Sequence, residues 1–103
     1  MPFHYDLPFP ELLPGDVDHA TPPVLERILA PAGAVVPART PVALVRAADN
    51  RLFHLLNEGD AVVLAWLVEP GQSVVPGQPL ARLGADGECI PYGRPLSALL
   101  ALT

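Results

Sequence analysis

The side chains in this sequence that could ligate a metal or move a proton are three histidines, one cysteine and eleven carboxylates. His4, His19, His54 and Cys89 lack the close spacing of a zinc site, and no Cys-x-x-Cys pair occurs. Cys89 precedes the apolar run Ile90-Pro91-Tyr92, a setting that suits a small buried side chain better than a thiolate nucleophile. Asp16 and Asp18 flank Val17 and share a face if that stretch is extended, but two carboxylates alone define no acid/base pair. Phosphate-binding loops, dinucleotide glycine fingerprints and nucleophile elbows are absent. We therefore expect no enzyme, no catalytic or metal residue and no cofactor. Equally informative is the missing lysine: none occurs in the 103 residues. No side chain here offers a primary amine for a Schiff base or an amide-linked group. Arginine is no substitute, because its guanidinium stays protonated.

These residues need a scaffold, and the composition restricts its kind. Half of the residues are hydrophobic, enough for one core in a chain of this length. Fourteen prolines and eight glycines disfavour long helices and favour short strands joined by tight turns. The net charge of −5 makes the chain a poor ligand for nucleic acid or for an anionic lipid surface. The apolar stretches, such as residues 61–68, are far too short to span a bilayer as a helix. A lone cysteine forms no internal disulfide, and the start Met-Pro-Phe-His-Tyr-Asp lacks the basic and apolar regions of a secretory signal. A cytoplasmic protein is expected.

A motif of about 39 residues occurs twice. Residues 24–38, VLERILAPAGAVVPA, align without gaps on residues 63–77, VLAWLVEPGQSVVPG. Pro31 then faces Pro70, and the two Val-Val-Pro runs coincide; after one extra residue in the first copy, Thr40–Ala43 matches Gln78–Ala81. Each copy reads as an apolar strand (24–30 or 62–68), a Pro/Gly turn, a two-valine strand, a second turn, and a closing strand (42–46 or 80–83). Ala47-Ala48-Asp49-Asn50 suits a hairpin tip leading into a strand over 51–56. If the second copy's first strand alternates regularly, Leu64, Trp66 and Val68 share one face and Val63, Ala65 and Leu67 the other, so both faces are apolar. Trp66 then serves as a packing residue or as an anchor at an interface.

Both ends differ from this repeat. Residues 1–23 hold six prolines and three of the six aromatic residues, and read as an extended proline-rich arm with Phe3, Tyr5 and Phe9 on one face. Residues 84–87 read as a turn and 89–92 as a short edge strand. The final run, including Leu99 and Leu100, is too apolar for water and must pack on the domain or in an interface. The expected organisation is an arm over 1–23, a β domain over 24–84 and an apolar extension over 85–103.

The run from Trp66 to Ala81, WLVEPGQSVVPGQPLA, resembles the second half of a biotinyl/lipoyl domain, and Ile28–Leu44 matches the same pattern more loosely. The resemblance covers roughly residues 24–84. It implies an all-β fold: a flattened barrel or sandwich of two small antiparallel sheets with a pseudo-two-fold repeat. It also implies that a hairpin ending the first half would carry the modified lysine, at the place held here by Ala47, Ala48, Asp49 and Asn50. Those residues cannot accept biotin or lipoate. Unmodified relatives serve as docking modules, including in adaptor subunits of bacterial export systems. The expected function is thus a non-catalytic protein-interaction module, an adaptor or accessory subunit with a protein partner, a second copy of itself, or both. Phe3, Tyr5, Phe9, Trp66, Leu99 and Leu100 are its candidate contact residues. The alternative from another class is a small-molecule-binding domain using the cleft between the sheets, near Phe53, Trp66 and Tyr92.

Overall fold

A computed structural model describes residues 3–10, 21–86 and 95–102. It is all-β and antiparallel. The strands are β1 (Phe3–Pro8), β2 (Val24–Ile28), β3 (Val35–Val36), β4 (Pro41–Arg46), β5 (Leu52–Asn57), β6 (Ala61–Trp66), β7 (Pro79–Ala85) and β8 (Ser97–Ala101). They form two four-stranded sheets, ordered β1-β7-β6-β3 (sheet A) and β2-β4-β5-β8 (sheet B). The sheets stack as a sandwich and the barrel is not closed. Valine and leucine dominate the strands, where branched side chains fit a pleated, half-buried surface. Leu7, Phe9, Leu25, Val42, Leu55, Val63, Val74, Leu80 and Leu83 fill the space between the sheets and are fully buried.

The sheets reach beyond residues 24–84 at both ends. β1, within the expected arm, runs antiparallel to β7, with Tyr5 opposite Leu83 and Leu7 opposite Ala81. β8 runs antiparallel to β5. Ser97 Oγ donates a hydrogen bond to the Pro8 carbonyl, tying the last strand to the first. The proline density that suggested an arm is compatible with β1 because an edge strand needs hydrogen bonds on one side only. Likewise Gly84 and Ala85 lie in β7 rather than in a turn, while the expected edge strand at Cys89–Tyr92 falls outside the described residues.

Hydrogen bonds recur at a spacing of 38 residues. Gly33 N–H donates to Val63 O, and Gly71 N–H to Leu25 O, each at 2.7 Å. Val63 N–H donates to Ala34 O, and Leu25 N–H to Gln72 O, each at 2.9 Å. Gly33 and Gly71 both have positive φ, 93° and 91°, a conformation that costs glycine nothing. Bulges recur as well, at Glu26 between Leu25 and Arg27 and at Leu64 between Val63 and Ala65. This spacing corrects the gapless alignment by one position. Val36, not Val35, corresponds to Val74; both are buried, whereas Val35 is 75% exposed. The bulge also breaks the regular alternation expected along β6. Val63 and Val68 point inward, Leu64, Ala65 and Leu67 are exposed, and Trp66 is half-buried.

Candidate functional site

The β4–β5 hairpin tip is where the resemblance places an attachment site. Ala47 N–H donates to Arg51 O and Asn50 N–H to Ala47 O, both at 2.9 Å, closing a three-residue loop. Asn50 has φ 68°, and its short polar side chain is one of the few besides hydrogen that tolerates this left-handed conformation. Asp49 faces back along the loop. Its carboxylate accepts from the Arg51 backbone N–H at 3.1 Å and from Arg51 Nε at 2.6 Å. The Arg51 guanidinium also lies over the Phe53 ring, 5.7 Å from its centre. The tip therefore presents an ion pair with both charges engaged.

These contacts hold the Asp49 carboxyl below the ordinary aspartate value of 3.8, chiefly through the Arg51 backbone N–H, although desolvation opposes it. A depressed value means that Asp49 favours the folded tip above the unfolded-state value, and that the contribution disappears as pH falls through the lower folded value. An NMR titration of the Asn50 and Arg51 amides should therefore show a midpoint below 3.8. Arg51→Ala should raise that midpoint only part of the way, because the backbone donor remains. A midpoint at or above the ordinary value would contradict the observed hydrogen bonds.

The contact candidates scatter. Phe9 is fully buried, Tyr5 packs partly against the core, and Phe3 at the strand's end is 53% exposed. Trp66 lies at the end of β6, where its Nε1–H donates to Ala30 O at 2.7 Å and ties the β2–β3 loop to sheet A. Leu99 packs against the core from β8, and its neighbour Leu100 points outward, 52% exposed. No two of these outward groups form one patch: Phe3 belongs to sheet A and Leu100 to sheet B. Phe53 is buried beside Ala47, so the aromatics expected to line a cleft are Phe53 and Trp66, both engaged in packing, and Tyr92, outside the described residues.

The histidines are also apart, His4 on β1 of sheet A and His54 on β5 of sheet B. His19, Cys89, Asp16 and Asp18 lie outside the described residues. Among the described residues no three His, Cys, Asp or Glu side chains lie close enough together to hold a metal ion.

A groove of about 430 Å³ opens on the outer face of sheet A, lined by Val35, Val62, Leu64 and Gly84, with His4, Asp60 and Asp86 among its walls. Sequence reasoning missed it. Its signal was weak: Val35 read only as half of a two-valine strand, and Gly84 as the start of a turn. No protein-family model matches this chain, and no curated protein or solved structure matches it either.

Proposed function

We propose that this chain is a non-catalytic protein-interaction module, an adaptor or accessory subunit acting in the cytoplasm on an unmodified lipoyl-like scaffold. The observation that carries the proposal is the β4–β5 tip. On the lipoyl-like reading this tip is the counterpart of the lysine hairpin, and here it holds Asp49 paired with Arg51. No side chain offers an amine to load, so its useful chemistry lies in its surface. The 38-residue recurrence of turns, bulges and exchanged hydrogen bonds supports the scaffold reading, since a pseudo-two-fold sandwich requires it. Exposed Val35, Leu64, Leu67 and Leu100 support the surface reading.

The test is affinity purification of the tagged chain from its host, followed by reconstitution with the purified candidate. The expected result is saturable, stoichiometric binding by calorimetry with the chain unmodified. A chain that stays monomeric and shows no saturable binding to any candidate would overturn the proposal.

A further inference from the structure

The two halves of the sandwich supply an internal control for the groove on sheet A. The 38-residue correspondence pairs Leu64 with Glu26, Gly84 with Arg46, and Val35 with Ser73. The supporting registers are Val62 opposite Gly84 and Val35 in one half, and Val24 opposite Arg46 and Ser73 in the other. In sheet B this place holds a solvated ion pair, with Arg46 Nε 3.0 Å from Glu26 Oε2 and both side chains well exposed. In sheet A the same place holds a bulged leucine, 41% exposed, beside a glycine. Leu64 Cδ1 lies 3.4 Å from where a Cβ on Gly84 would stand. The fold therefore requires neither the apolar side chain nor the recess. One half fills the position with charges and the other leaves it hollow and greasy.

The surroundings indicate what the hollow receives. Two exposed carboxylates, Asp60 and Asp86, stand at its edge, His4 closes the side toward β1, and among the described residues no arginine lines it. β3, with only two residues, is the edge strand of the sheet beside it among the described residues. A second copy docking face to face across a two-fold axis would bring the same carboxylates together in a chain already carrying −5. An extended segment avoids this conflict. It can pair with the β3 edge through its backbone and present alternate side chains to the groove. We propose that this groove binds an extended segment of a partner protein whose groove-facing, alternate residues are apolar and are flanked on that same face by arginine or lysine. The apolar side chains would cover Val35, Val62 and Leu64, and the cations would meet Asp60 and Asp86. The inference rests on the interaction-module reading and adds the surface and the partner's chemistry.

The test is an NMR titration of the full chain with two capped peptides, acetyl-Arg-Thr-Val-Thr-Val-Thr-Arg-amide, whose arginines and valines share one face, and its Glu-for-Arg counterpart. The basic peptide should shift the amides of Val35, Val62, Leu64 and Gly84 saturably and bind about tenfold more tightly than the acidic one. The double variant Leu64→Glu/Gly84→Arg installs the pair that sheet B already carries, so it should fold, and it should weaken the basic peptide about tenfold by filling the groove. Should that variant misfold, Asp86→Asn leaves the core untouched and should still weaken the basic peptide selectively. Equal binding of both peptides, shifts that map elsewhere, arginine amide binding as tightly as the peptide, or unchanged affinity in the variants would overturn the proposal. A purified partner whose affinity ignores Leu64→Glu/Gly84→Arg would remove this groove while leaving the module reading intact.

Discussion

Phe9→Ala should come close to unfolding this protein. Phe9 is fully buried, and its backbone exchanges hydrogen bonds with the second turn of the other half: Phe9 N–H donates to Gln78 O and Gly77 N–H to Phe9 O, each at 2.9 Å. Truncating a buried phenylalanine costs roughly 3–5 kcal/mol, because the lost transfer energy adds to the energy of the cavity left behind. A domain of this size has roughly 5–15 kcal/mol in total. Thermal unfolding followed by circular dichroism should show a fall of roughly 15 °C or more. Phe3→Ala, at the exposed far end of the preceding strand β1, should stay within about 0.5 kcal/mol of the parent. Equal, small losses at both positions would mean that residues 3–10 are the independent arm their proline content suggests.

Asn57→Asp should be nearly as damaging, for an electrostatic reason. Asn57 is fully buried at the end of β5, and its Nδ2 donates to the carbonyls of Gly59 and Val36. These bonds pin the β5–β6 turn to β3. Its Oδ1 is buried without a hydrogen-bond partner among the described residues. A carboxylate there would lose both donors and face two carbonyl oxygens, a cost of about 3 kcal/mol or more at neutral pH. Burial would also raise the new carboxyl's pKa above its unfolded value. The deficit should therefore grow as pH rises from the unfolded value through the folded one, and shrink as pH falls. Urea denaturation at several pH values reads this directly. A small deficit, or one independent of pH, would show that Asn57 is not held as described.

Much of the fold was legible because its cues are local. The two valine-rich motifs, their Pro/Gly turns and the Asp49–Asn50 tip all announce themselves through side chains that prefer those conformations. What escaped depends on partners distant in sequence. β1 reads as an arm because nothing in residues 3–8 reveals that β7 waits 70-odd positions later to pair with it. The bulges at Glu26 and Leu64 escaped because one inserted residue leaves no mark on composition, yet it moves every following side chain to the opposite face. The repeated Val-Val-Pro run misled the alignment for a different reason. Identical letters coincide at a spacing of 39, whereas the pairing places Val36 with Val74, 38 apart. The groove was illegible because β6 is apolar at successive positions, so nothing in the sequence marked the face of Leu64 as the outward one.

Native mass spectrometry of the chain purified from its own host tests the central claim most directly. It reads covalent state and bound partners in one spectrum. The account predicts the unmodified chain in a defined complex with another protein. It would be contradicted by the unmodified chain alone at every concentration, or by a chain carrying the added mass of a cofactor.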